Sequence, residues 1–550
     1  MAGGAAGSPQ EPDGQYSSVF AFAYIFNLVI GVGALALPLA FTQAGLVLGT
    51  LLIITLAFMS FLTTSYVVEA MAAANAYYIL KERKERRALT RENSDIQKPA
   101  LVVCNGLQRV TLYLFLEKQR HFFHLLPLGE SDEYEIRKKY ELGTMANMFY
   151  HPIGIVLYYV CICVYLYGDL AIYAVTIPKS MQQVLCSERK IEREVVMASS
   201  VSNATQINGY FTDVYYEPES GSGSGSGSGS SVTYETRHMC FGSTAISDTH
   251  TYYICLAVTV LLLCPWTFFN LTRSKYLQLF TTILRNVAFV LMILLAIVDM
   301  AQGHRAEPLP PPARFKGFPV LFGVSIYSFM CQHSLPGMIT PMKTKKNLLW
   351  MIFSDFALIL FAYLLLTLTG AFRFSNLEDI YTLNFFNSSA TRVTLRVFLG
   401  YYLALFPVFT LSTNFPIISI TLRENLKALF RVLLKKWRGD GEFHFVVSRI
   451  VFPLLAIIPP ILIAFATRNV EALVSVTGSF PGVGVQYIIP LTLAIAGRNV
   501  IMKEFSTYDN KHKSKFSNVP VFIFVSVWTA VSFVLIIVDD ALKIKDGHFI

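Results

Sequence analysis

An all-α polytopic membrane protein of about eleven transmembrane helices is the fold class that this sequence predicts, on three observations. Hydrophobic residues make up 54% of the 550 and charged residues only 15%, with a mean hydropathy of +0.49; a water-soluble domain carries nearer a quarter charged. Apolar runs of about 20 residues, the length that crosses the hydrocarbon core, recur along the whole chain. Two of those runs carry Gly and Pro near their middles, where lipid offers no water to a broken backbone.

The runs fall at 19–41, 46–69, 153–178, 250–269, 276–299, 319–341, 348–371, 395–419, 447–467, 471–497 and 519–539. The first 15 residues lack Lys and Arg. The run after them is too long for a signal peptide and has no small-residue cleavage site. Residues 1–16 are therefore read as a cytosolic tail and 17–541 as a membrane domain of eleven helices. Lys and Arg gather on the cytoplasmic side of membrane proteins. With the N-terminus cytosolic, 30 fall in loops on that side, 14 on the other, and Arg285 lies within a span. That distribution accounts for the net charge of +9 without nucleic acid.

Two long loops interrupt the pattern, a cytosolic insert at 80–152 and an outside loop at 179–249. The insert opens with the charge run KERKERRALTREN, solvated or facing anionic lipid. Its stretch 101–129 is apolar but broken by Asn105, Arg109, Glu117 and Lys118. That pattern suits an interfacial helix or a docking segment for a cytosolic regulatory partner. The outside loop holds an alternating Ser-Gly run, flexible coil by composition, whether natural repeat or inserted linker. The sequons at Asn203 and Asn387 both fall on the outside, where glycosylation takes place, while Asn270-Leu-Thr sits at a cytosolic helix end. Cys186 and Cys240 share the outside loop and form the disulfide candidate. No cysteine has zinc-site spacing, so no metal is expected.

Inside lipid, irregular backbone survives only where protein buries it or where it lines a cavity. Span 1 reads FNLVIGVGALALP, with Asn27, Gly31, Gly33 and Pro38; on their own these glycines also suit close helix packing. Span 6, LFGVSIYSFMCQHSLPGMITP, repeats the interruption with Gly323, Pro336, Gly337 and a polar cluster. It opens a second set of five spans. Interrupted spans at corresponding positions of two halves mark the binding site of inverted-repeat transporters, where half-helix dipole ends face charged substrate groups. A carboxylate suits the amide end there, and a cation the carbonyl end.

At these residues the sequence resembles the amino acid/auxin permease family, which includes sodium-coupled neutral amino acid transporters, and it is closest to one of the family's less characterised groups. The likeness runs through MSFLTTSYVVEAMAAANA (59–76), VYLYGDLAIYAVTIP (164–178), YSFMCQHSLP (327–336) and FPVFTLSTNFPIISITLREN (406–425). It implies eleven helices, the first ten in a five-plus-five inverted repeat of the LeuT type with helices 1 and 6 broken. By motif, Asn27 matches an asparagine that helps to bind the ion in sodium-coupled relatives. Gly31, Val32, Gly33 and Ala34 match the unwound stretch facing substrate, and Ser325, Tyr327, Ser328 and Phe329 would face it from span 6. Relatives that bind sodium carry a Thr or Ser upstream of the FP on helix 8. Here that stretch is FLGYYLALFP, which leaves Thr410, Ser412 and Thr413 as the hydroxyls of a shifted ion site.

Charge within a span is costly, so an ionisable residue there is a functional candidate. Asp169, mid-span 3, is either a proton- or cation-binding group or the structural partner of a base such as Arg285. His333, at the second break, either carries a proton or is held by hydrogen bonds at a helix turn. Glu69, Asp299 and Asp355 are read as boundary residues near span ends. No Walker motif, nucleophile elbow or HExxH occurs, so neither an enzyme nor a cofactor is expected. The expected function is secondary transport of an amino acid or similar small zwitterion by alternating access, coupled to H+ or Na+ with protons favoured. The expected site is the plasma or endolysosomal membrane. The alternative class is a non-transporting amino-acid sensor that signals through the insert; a third is a structural protein that keeps only the fold.

Overall fold

The computed structural model describes residues 17–96, 133–195, 231–240, 247–268, 275–386, 395–438 and 443–545. The N-terminal tail, the middle of the insert, most of the Ser-Gly run and the sequons at Asn203, Asn270 and Asn387 lie outside the described residues. The chain is a polytopic membrane protein, all-helical among the described residues apart from one hairpin. Among the described residues nine helices are long and apolar enough to cross a membrane, ten if the bent pair at the start counts as one span. The remaining apolar run, 319–341, is two short helices, neither long enough alone.

The bent pair is α1 (Ser18–Val29) and α2 (Gly33–Ala44), inclined at 54°. Next come α3 (Leu46–Ile96), α4 (Leu142–Phe149) and α5 (Pro152–Leu185), which begins with Pro at its first position, where the missing N–H is harmless. Strands β1 (Cys186–Val195) and β2 (Ser231–Cys240) pair antiparallel with Cys186 opposite Cys240, and a disulfide joins those two residues. Helices α6 (Asp248–Leu263) and α7 (Lys275–Ala301) follow, then the second broken pair, α8 (Phe318–Ser328) and α9 (Leu335–Ile339). The chain completes with α10 (Leu348–Arg373), α11 (Leu395–Arg438), α12 (Phe452–Ala466), α13 (Val470–Thr477), α14 (Ile489–Phe505) and α15 (Val519–Lys545).

Helix faces sort by environment. On α7, Phe280, Ile283, Val287, Val290 and Leu294 recur every three to four residues and are exposed, the stripe that meets lipid. Ala288, Met292 and Ala296 on the opposite face are buried. Where helices come closest, glycine is what permits it. A Cβ on Gly33 would stand 2.7 Å from the Ser328 Cα, so the start of α2 and the end of α8 touch backbone to backbone. This contact brings the two breaks together.

The end of the insert is part of the bundle. Tyr134, Ile136, Leu142 and Met145 are buried. Asn75 of α3 clamps the same segment: its Oδ1 accepts from the amides of Arg137 at 3.1 Å and Lys138 at 2.9 Å, and its Nδ2 donates to the Lys138 carbonyl at 3.2 Å.

Candidate functional site

Each break leaves backbone groups that a continuous helix would satisfy, and the bundle supplies their partners. Tyr363 of α10 sends its hydroxyl between the carbonyl of Val29, which ends α1, at 2.9 Å, and that of Ser328, which ends α8, at 3.0 Å. Both helix ends are thus tied to one side chain. In the second break, Ser60 donates to the Phe329 carbonyl at 2.9 Å. The Gln332 amide meets Thr63 at 3.2 Å and Ser60 and Thr64 at 3.3 Å. The hydroxyl run of α3 therefore serves as the polar bed of the unwound chain.

Beside the two breaks lies a cavity of about 310 Å³. Asn27, Gly31, Val32 and Gly33 line it from the first break and Tyr327 and His333 from the second. Asp169 of α5 and Thr410 of α11, both ion candidates from the sequence, line it too, and so does Arg285 of α7, read from the sequence only as a base in a span. Ala34, Ser325, Ser328, Phe329, Ser412 and Thr413 do not line it. Ala34 and Phe329 are buried in the core, Phe329 with its ring 5.1 Å from that of Tyr363. Ser328 donates to the Val324 carbonyl at 2.7 Å. Thr413 donates to the carbonyl of Thr410 at 2.9 Å, as Thr410 does to that of Phe406 at 3.0 Å. Both threonine hydroxyls therefore close turns of their own helix.

The charged groups do not pair as a salt bridge. Asp169 is 5% exposed and accepts from the Tyr327 hydroxyl, and among the described residues no base pairs with it. Arg285 turns to backbone: its Nη1 donates to the carbonyls of Asn27 at 2.7 Å and Ile30 at 3.1 Å. The Asn27 amide donates to Thr282, one turn before Arg285, at 2.9 Å. His333 has its ring 5.4 Å from Tyr165, and its Nδ1 has no hydrogen-bond partner among the described residues.

The acids read as boundary residues are buried. Glu69 is 0% exposed and meets Arg498 at 2.5 Å, the Tyr508 hydroxyl at 2.9 Å and the Ser514 amide at 3.1 Å. Burial, and then the Glu69 carboxylate, push the Tyr508 phenol above its ordinary range, so it stays protonated and donates. Asp299, 2% exposed, is held by Arg373 at 2.9 Å and Arg396 at 2.6 Å. Asp355 is 0% exposed, and neither of its oxygens has a partner among the described residues. Position near a span end misled because a helix can run on past the lipid core, as α3 does to Ile96, and because distant loops fold over it.

A helical bundle with two helix breaks facing one polar cavity defines the class, a polytopic membrane protein built like a small-molecule carrier. The chain belongs to the family described as "Transmembrane amino acid transporter protein", whose profile matches residues 14–88 and 228–537. It is similar to "Transmembrane protein 104" of Homo sapiens, 39% identical over 548 residues covering 98% of this chain and 99% of the relative. It is likewise similar to that of Gallus gallus, 38% identical over 534 residues with 96% and 97% covered. The "Transmembrane protein 104 homolog" of Drosophila melanogaster is 34% identical over 539 residues, with 95% and 97% covered.

Proposed function

We propose that the chain is a secondary active transporter of amino acids, or of similarly small zwitterions, that works by alternating access with protons as the coupling ion. The observation that carries this reading is the cavity of about 310 Å³ beside both breaks, with one carboxyl group and one guanidinium on its wall. Its volume is at the small end of ligand sites, which suits a single amino acid. A zwitterion complements a wall that bears both signs of charge. Asp169 takes the proton: it lies mid-bundle, bonds to Tyr327 of the second break and has no base paired with it among the described residues. Neutralising it changes the bond to Tyr327, and so couples protonation to the break.

The test is uptake into proteoliposomes from a panel of the twenty amino acids with an imposed proton gradient, for the wild type and Asp169→Asn. Concentrative uptake is expected for the wild type. The variant is expected to lose the gradient-driven component by tenfold or more, about 1.4 kcal/mol, while retaining exchange of labelled against unlabelled substrate. Unchanged proton-driven uptake by Asp169→Asn would remove the coupling assignment. Absence of uptake and exchange for every amino acid would remove the transporter.

A second reading, an amino-acid sensor acting through the insert and a cytosolic partner, draws on the clamp of Asn75 on residues 137 and 138, which ties the insert to α3. Deleting 97–132 leaves uptake intact in a carrier and abolishes partner binding in a sensor.

A further inference from the structure

We infer that the Arg285 guanidinium is the resident cation of the first break, and that an inorganic cation such as sodium binds there only when Arg285 is removed. The inference rests on the proposed transport site but concerns which cation occupies its carbonyl end.

Helix α1 stops at Val29, so its last carbonyls lack intrahelical partners and carry the negative end of the helix dipole. A positive charge is favoured at that point. The structure supplies one from α7, with Nη1 at 2.7 Å from the Asn27 carbonyl and 3.1 Å from that of Ile30. The third carbonyl of the set, Val29, is held by the neutral hydroxyl of Tyr363. No carboxylate pairs with Arg285 among the described residues, so the backbone end is its counter-charge.

The surrounding oxygens are those that a small monovalent cation would use. Besides the two carbonyls, the Asn27 side chain donates through its nitrogen to Thr282, and its buried Oδ1 has no hydrogen-bond partner among the described residues. The guanidinium thus takes two carbonyls on the α1 side of the break and leaves the nearby Asn27 Oδ1 without a partner among the described residues. Sodium does not fit while Arg285 stands there: the carbonyls are engaged, and a second positive charge so close is repelled. The hydroxyls of Thr410 and Thr413, offered by the sequence as a shifted site, each donate to a carbonyl of their own helix, and Arg285 bonds to neither. Arginine suits this place because it stays charged at every physiological pH and one of its nitrogens can serve two acceptors.

The experiment is thermal unfolding of the full-length protein in detergent, with sodium chloride exchanged for choline chloride at constant ionic strength. The wild type and Arg285→Lys are expected to melt at the same temperature in both salts. Arg285→Ala is expected to melt lower in choline and to gain about 2 °C or more in sodium, because a ligand that binds only the native state stabilises it. Arg285→Met, which keeps the stem's bulk, carries the same test should the alanine variant aggregate. A sodium-specific shift in the wild type would overturn the inference, as would folded Arg285→Ala or Arg285→Met with none. This readout does not depend on transport. Failure of the uptake panel would overturn the carrier reading and leave the melting result standing.

Discussion

Asp355 sets the terms at the scale of single residues. A carboxyl group buried among helices with no hydrogen-bond partner for either oxygen costs stability, and native proteins keep such groups rarely. Replacement by an apolar side chain of comparable length is expected to stabilise the fold. Asp355→Leu should melt higher by about 1–3 °C, the equivalent of about 1–3 kcal/mol at roughly 1 kcal/mol per degree in a protein of this size. A lower melting temperature would mean that the carboxyl group is held by a group outside the described residues. The same reasoning separates it from Glu69 and Asp299, whose oxygens are met by Arg498, Arg373 and Arg396. Removing one member of those pairs would strand a buried charge, at about 3–5 kcal/mol.

Between elements, the two breaks act as one structure. Gly33 and Gly31 are two residues apart but differ in what surrounds them. A Cβ on Gly33 would meet the Ser328 backbone at 2.7 Å, whereas one on Gly31 would meet only the Val29 carbonyl, at 3.9 Å, and otherwise face the cavity. Gly33→Ala is therefore expected to lower yield and melting temperature sharply, since backbone cannot move aside as a side chain can. Gly31→Ala should melt within about 1 °C of the wild type and lose substrate binding, because the added methyl takes up cavity volume. Equal effects of the two substitutions on melting would contradict that geometry. Both breaks were legible in the sequence because interrupted runs recur at corresponding positions of two halves; glycine or proline in a single run would have suited packing as well. Their partners were not. Tyr363 lies 334 positions from Val29, and nothing in its helix distinguishes it from a tyrosine that faces lipid. Arg285 was visible only as a charge in a span. The pattern offered it a carboxylate, Asp169, while the fold gave it carbonyls, because a helix end is an anion that periodicity does not display. The family resemblance carries Ser325 and Ser328 to the substrate face by motif, but neither lines the cavity, because residues on a helix point around its whole circumference.

At the scale of the molecule, the ion-pair clusters of Asp299 and Glu69 stand far apart along the bundle. The start of α3 bonds to the segment that follows α7, with the Leu46 amide 3.0 Å from the Pro311 carbonyl, and Ala306 in that segment bonds to Phe372 at the end of α10. The Asp299 cluster belongs to this end. Glu69 lies 23 residues further along α3, about 35 Å at 1.5 Å per residue. In the proposed alternating-access cycle one end opens while the other holds, so weakening one cluster is expected to shift the balance between two states instead of merely loosening the fold. Cys331 reports on the shift: it lies in the second break, fully buried, with its sulfur 3.7 Å from the Thr64 hydroxyl. In a variant that keeps Cys331 as its only free cysteine, Glu69→Gln is expected to raise the rate of labelling by a membrane-impermeant maleimide at least about fivefold, or about 1 kcal/mol of closure lost. The increase should appear only with reagent on the Glu69 side of sealed vesicles. Labelling that rises equally from both sides would mean general unfolding, and a rate unchanged from either side would mean that the Glu69 cluster does not hold that end shut.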